Sequence, residues 1–152
     1  MEKIAEFQGE YRWLSNFARL EHPILLAGIK FNTAEHLYQA LKSTNIVDFT
    51  SIASVNTPGK SKRLGKDIAI RTDWDDVKLI FMEFVLRLKF QDKKLQQKLL
   101  DTGDAILEEG NRWGDTFYGI SLITGKGQNW LGKLLMKLRT EYRGNNHEHI
   151  CA

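Results

Sequence analysis

The stretch Asn32-Thr33-Ala34-Glu35-His36-Leu37-Tyr38-Gln39-Ala40-Leu41-Lys42 joins a helix start, an apolar stripe and a row of polar groups in eleven residues. Asn32 or Thr33 can cap the helix, because a short side-chain oxygen accepts a first-turn amide that has no partner within the helix. Beyond the cap, Ala34, Leu37, Ala40 and Leu41 fall on one side at helical spacing. Glu35, Gln39 and Lys42 recur at steps of four and three, so they share another face, with Tyr38 beside them. A carboxylate, an amide and an amine in line over an apolar back suit a helix that lines a polar cleft. The same residues also fit a structural role. Glu35 lies three residues after Asn32 and so fits a capping box, and Lys42 would then be a solvated last-turn cation.

Working outward, Ile24 to Leu26 and Ile29 to Phe31 flank Ala27-Gly28, a tight hairpin that delivers the chain to this helix. Ile4 to Phe7 has strand character. Between them, Arg12, Ser15 and Asn16 are interleaved with Tyr11, Trp13 and Phe17. An arginine forks onto phosphate or carboxylate oxygens, and an aromatic ring stacks on a base or sugar. A loop packed by its own aromatics is the alternative. Downstream, Ile46 to Val55 is a short amphipathic helix with Ile46, Phe49, Ile52 and Ala53 on its apolar side. Thr57-Pro58-Gly59 caps the next helix with Pro in the first turn. Lys60, Lys62, Arg63 and Lys66 follow without an acid, as a phosphate-attracting patch or a solvated face.

Asp73 caps the longest helix, predicted over Trp74 to Gln91 with Val77, Ile80, Phe81, Phe84, Val85 and Leu88 inward. Trp74 is either core or cleft. Lys93 to Asp101 adds a helix with Leu95, Leu99 and Leu100 inward, ended by Thr102-Gly103. Ala105 to Leu107 and Phe117 to Ile123 read as strands. In Asn111-Arg112-Trp113-Gly114-Asp115, the glycine suits a sharp turn that exposes Trp113 and Asp115, or an Asx-type turn with a packed Trp. Gly125 to Asn129 leads into a final helix, Trp130 to Tyr142, with Leu131, Leu134, Leu135 and Leu138 inward. Its backbone amides could cradle an anion, although the loop lacks the Lys-Ser or Lys-Thr pair of a Walker A motif.

The chain has 152 residues, 42% hydrophobic and 27% charged, which fits one soluble globular domain. We expect it over residues 1–143, with 144–152 as a flexible tail. His147, His149 and Cys151 belong to that tail; their close spacing without a second cluster points to a polar tail, not a metal site. The sequence has no bilayer-spanning apolar run, Met1 to Glu6 lacks the long apolar segment expected of a secretory signal, and the single Cys151 cannot form an intramolecular disulfide. A cytoplasmic protein without a membrane partner is expected. The net charge of +3 permits an anionic ligand but falls short of a dedicated nucleic-acid binder. No zinc, calcium or nicotinamide motif is present, so no metal or cofactor is expected.

Taken together, several motifs resemble the NADAR family, also called YbiA-like. They are Ser15-Asn16-Phe17, Glu35-His36 with Gln39 and Lys42, then Gly65, Trp74 and Lys89-Phe90. Leu100 with Thr102-Gly103, Trp113-Gly114, Gly127 with Asn129, and Leu131-Gly132 through Leu135-Met136 to Arg139 complete the set. The match in order and spacing runs from about Phe7 to Tyr142. The resemblance implies a compact, mainly helical single α+β domain with a small sheet. It also implies hydrolysis of an N-glycosidic bond to a ribose carrying a phosphate. Two substrate classes are implied: ADP-ribose on guanine in nucleic acid, and ribosylamino-pyrimidine phosphate intermediates of riboflavin synthesis. Glu35, Trp74, Trp113 and Asp115 match the family's site positions. Lys42 matches a lysine that some members use through a Schiff base to an opened sugar. The stretch Phe117 to Gly125 is longer than in the shortest members, which bears on the cleft's rim and on substrate choice.

Breaking a C1′–N bond builds positive charge on the sugar and requires a proton for the departing nitrogen. Glu35 and Asp115 are the expected pair for those two roles, with Lys42 as the third catalytic residue. The expected substrate-binding residues are Arg12, Ser15, Asn16, Phe17, Tyr38, Gln39, Trp74, Trp113, Gly114 and Asn129. The expected partner is a substrate containing ribose phosphate or ADP-ribose, including ADP-ribosylated nucleic acid; oligomeric state is left open. Two other classes remain: a module that binds ADP-ribose or a nucleotide without cutting it, and a nucleic-acid binder driven by charge.

Overall fold

The computed structural model describes the backbone of residues 2–151 and the side chains of residues 2–146. In chain order the elements are β1 (Lys3–Ile4), a 3-10 helix (Gly9–Leu14), β2 (Ile24–Leu26), β3 (Ile29–Phe31), α1 (Ala34–Ala40), α2 (Ile46–Ser54) and α3 (Pro58–Asp67). They continue with α4 (Trp74–Lys89), α5 (Lys93–Asp101), β4 (Ile106–Leu107), β5 (Gly110–Asn111), β6 (Ile120–Ser121) and α6 (Trp130–Cys151). Two compact units are distinguished, Met1–Ser15 with Phe90–Ala152, and Asn16–Lys89. The expected mainly helical α+β class holds. The strands among the described residues form three separate two-stranded pairs instead of one small sheet.

In the Asn16–Lys89 unit, β2 and β3 pair antiparallel and turn through Ala27 (φ 52°) and Gly28 (φ 76°). Two successive left-handed residues give a turn whose twist matches that of the strands. The hairpin hands the chain to α1, where Thr33 Oγ1 accepts the His36 amide. All seven residues of α1 are buried. A helix this short has no stability of its own, and it is held by packing against α2, α3 and α4. His36 ties it down further. Its Nδ1 lies 2.7 Å from Thr33 Oγ1 and its Nε2 2.9 Å from the carbonyl of Val55, just past α2.

Two predicted faces in this unit need correction. On α2, Ile52 and Ala53 are buried, but Ile46 is 64% exposed. On α4 the buried stripe is Met82, Val85, Leu86 and Lys89, whereas Ile80 and Phe84 are exposed. Apolar residues surround most of α4, so two stripes fit the helical period and spacing alone does not choose between them. Asp73 stands before α4 where the cap was expected, but its carboxylate is engaged by Arg71, at 2.6 Å from Nε and 3.0 Å from Nη2. Its backbone carbonyl takes the amides of Asp76 and Val77.

In the other unit, β1 pairs parallel with β4 and β5 with β6. The longer strands expected over Ile4 to Phe7 and Phe117 to Ile123 reduce to these two-residue ladders. Gly103, at φ 61°, ends α5 as predicted. The α6 residues Leu131, Leu134, Leu135 and Leu138 are buried, and Arg139 Nη1 donates to Thr102 Oγ1 and to the Ala105 carbonyl. The helix continues past Tyr142 to Cys151, where the sequence reads as a loose tail. The side chains of His147, His149 and Cys151 lie outside the described residues. Among the described residues no helix is long and apolar enough to cross a membrane.

Candidate active site

The predicted site residues fall in the two units, and each group is described by itself. In the Asn16–Lys89 unit, α1 brings most of them together. Because Thr33 is the cap, the third helical residue is His36, so the capping-box role considered for Glu35 does not hold. Glu35 is 6% exposed, and its Oε1 accepts a 2.7 Å hydrogen bond from Gln39 Nε2, one turn on. Its backbone amide donates to the Asn16 carbonyl at 3.0 Å. Asn16 is buried, with Nδ2 on the Met82 sulfur at 3.2 Å.

Lys42 lies just beyond α1, its amide turned back onto the Gln39 carbonyl. Its Nζ sits 5.7 Å from the Trp74 ring centre and 5.9 Å from that of Tyr38. Those rings are 5.1 Å apart, and Phe81 continues the row 5.9 Å from Trp74. Burial pushes the amine below its ordinary pKa of 10.5. The charges of Lys62, Lys66 and Lys78 push the same way, and Glu35 opposes them. Lys42 is therefore not a solvated last-turn cation. Trp74 belongs to an aromatic wall beside a partly desolvated amine.

This unit also holds three buried polar atoms without hydrogen-bond partners, Asn16 Oδ1, Gln39 Oε1 and Ser61 Oγ. An unmade buried hydrogen bond costs about 1–3 kcal/mol, so a bound group or water that reaches these atoms is favoured. The Gln39 oxygen faces Gly65 of α3, where an added Cβ would overlap it. Phe17 is half-buried, with Lys62 Nζ 6.0 Å from its ring centre.

In the other unit, Asp115 Oδ1 accepts the amides of Phe117 and Tyr118, and Asn111 brackets the turn from both sides. This is the Asx-type turn, but its tryptophan is presented instead of packed. Trp113 is 62% exposed beside Gly114 at φ 85°. Asn129 is buried; its Oδ1 accepts from the Glu109 amide and its Nδ2 donates to the Leu107 carbonyl. The amides of residues 128–131 donate to the carbonyls of residues 116–119. That corrects the anion-cradle reading of the Gly125 to Asn129 loop. Arg12 is exposed, 3.3 Å from Gln8 Oε1, and the Ser15 amide turns back onto the Arg12 carbonyl. A cavity of about 390 Å3 lined by Tyr11, Trp13, Lys98 and Asp101, among others, includes none of the predicted site residues. Among the described residues no three His, Cys, Asp or Glu side chains gather as metal ligands.

Sequence reasoning missed Ser61, Lys78 and Asn111. Ser61 stands four residues before Gly65, on the α3 side that packs against α1, and that spacing is a legible signal. No local pattern marks Asn111 as the centre of the turn.

The family model for the NADAR domain matches residues 5–143. The chain belongs to the NADAR domain family. N-glycosidase YbiA of Escherichia coli strain K12 is 37% identical over 139 residues, covering 87% of this chain and 82% of that protein. A riboflavin biosynthesis protein of Vibrio vulnificus is 33% identical over 121 residues, covering 78% of this chain and 32% of its own. The NMR structure of E. coli YbiA superposes with a TM-score of 0.84 at 34% identity, covering 98% of this chain and 90% of that one. Within this NADAR domain, the α1 group offers a buried carboxylate, an amine whose pKa is depressed by burial and an aromatic wall. Those are the parts needed to stabilise a sugar cation and to form a bond to its C1′.

Proposed function

We propose that the chain is an N-glycosidase that hydrolyses the bond between a base nitrogen and C1′ of a phosphorylated ribose. ADP-ribose on guanine and ribosylamino-pyrimidine phosphates are the two substrate classes considered. The observation that carries the reading is the pairing, on one short helix and its C-terminal turn, of buried Glu35 with Lys42, whose amine is desolvated against Tyr38 and Trp74. The names of the relatives support the same reaction class.

In this reading the C1′–N bond breaks with its electron pair leaving on the base, which takes up a proton. Glu35 stabilises the positive charge on the sugar. The neutral Lys42 amine bonds to C1′; ring opening and proton loss give an imine, and water then releases the sugar and restores the amine. The sum is one water consumed, one base and one free sugar released. Lys42 reacts only when unprotonated, so its depressed pKa favours the step.

The test is to incubate the protein with an ADP-ribosylated guanine oligonucleotide and with a ribosylamino-pyrimidine phosphate, and to follow released sugar by mass spectrometry. Borohydride added during turnover should reduce the imine and leave a sugar on Lys42. Release from neither substrate would overturn the function. Release without a trapped adduct would retire the covalent step. Glu35→Gln should abolish release while leaving substrate binding within a few-fold; intact release would remove Glu35 from the chemistry.

A further inference from the structure

Helix α3 turns two different sides to its surroundings. Ser61 and Gly65, four residues apart, are buried, and the contact of α3 with α1 runs through Gly65 and Gln39. Lys62 and Lys66 follow each of them by one position, so they form a second row with the same four-residue step. The close approach at Gly65 brings that row to the Lys42 end of α1. Lys62 is half-buried with its amine over Phe17, and Lys66 is exposed. No acid stands in the first turn of α3, and among the described residues neither lysine has an ion-pair partner. Lys78, the third cation near Lys42, differs: it lies 3.4 Å from Asp75.

The charges of Lys62, Lys66 and Lys78 all act on the partly buried Lys42 amine. Two of them project from α3, whose fully buried residues are Ser61 and Gly65. An anion among them would be attracted by each.

We propose that Lys62 and Lys66 form an anion subsite beside Lys42 that selects substrates bearing a phosphate group. The proposal rests on the N-glycosidase reading and supplies its phosphate-reading residues.

Binding without turnover tests this separately from the chemistry. Titrate ribose, ribose 5-phosphate and ADP-ribose by calorimetry into the wild type, Lys62→Gln, Lys66→Gln, the double variant, and Lys30→Gln as an exposed cation on β3. The expected result is that the phosphorylated ligands bind well above ribose. Each single α3 variant should weaken them about tenfold, ~1.4 kcal/mol, and the double variant further, with ribose affinity and melting temperature unchanged. Lys30→Gln should have no effect. Loss for ADP-ribose alone assigns the subsite to a diphosphate ester; loss for ribose 5-phosphate as well assigns it to a monoester. Equal affinity for ribose and its phosphorylated forms, or an equal loss in Lys30→Gln, overturns the proposal. If the lysine-dependent preference appears without N-glycosidase turnover, the reaction falls and the subsite stands.

Discussion

Substituting Gly65 by Ala tests the packing that holds the site. A Cβ at Gly65 would overlap Gln39 Oε1 and stand 3.1 Å from Gln39 Cδ. The amide cannot yield without leaving Glu35, to which it donates at 2.7 Å. Overpacking of this kind costs about 1–3 kcal/mol, and losing a hydrogen bond to a charged group costs about 1.5–3 kcal/mol more. Alanine returns about 1 kcal/mol through helix propensity. The net loss should lie between about 1.5 and 5 kcal/mol, read as a lower urea midpoint with an unchanged slope. The decisive measurement repeats the substitution in a Gln39→Ala background. The nearest remaining atom is then the residue-39 Cβ at 3.5 Å, an ordinary contact. Gly65→Ala should become neutral or stabilising by up to about 1 kcal/mol. The same loss in both backgrounds would refute the reasoning, because the penalty would then come from somewhere other than the Gln39 amide.

Removing the Glu35 charge should lower the Lys42 pKa further, while Lys62→Gln or Lys66→Gln should raise it; competitive labelling of the Lys42 amine against pH should show the two shifts in opposite directions. Asn129→Ala leaves the Glu109 amide and the Leu107 carbonyl without their partner, and should cost about 2–4 kcal/mol in chemical denaturation. Trp113→Ala should change stability by less than about 0.5 kcal/mol, since the ring is largely exposed. The same variant should weaken a base-bearing substrate by about 1–3 kcal/mol if the ring stacks on it, measured as a rise in Kd. Asp115→Asn keeps an oxygen for the Phe117 and Tyr118 amides, so it should fold normally, with a chemical-denaturation midpoint close to wild type.

The polar row of α1 was legible because helical periodicity places Glu35 and Gln39 one turn apart whatever surrounds them, and their hydrogen bond follows. The Thr33 and Thr57 caps and the Ala27-Gly28 turn were legible for the same reason: each is a local backbone requirement. The inward face of α4 was not, because a helix apolar on several sides is oriented by its tertiary neighbours. The role of Asn129 was equally hidden. A loop asparagine looks the same in sequence whether it meets a ligand or the backbone of residues 107 and 109. The Gly125 to Asn129 loop was misjudged because the backbone acceptors of its amides, the carbonyls of Ser121, Thr116 and Gly119 for Gly125, Gln128 and Asn129, carry no side-chain signature.

No side chain of α1 escapes burial, and the segment is too short to persist by itself. Assembling the proposed reactive groups and completing the fold of that unit are therefore coupled. A mutational drift that retunes Glu35 or Gln39 must at the same time survive as a core substitution, which leaves few neutral paths through this helix. Diversification of what the protein accepts should accordingly concentrate where backbone is solvent-facing, as around Trp113 and residues 123–128, while α1 changes slowly.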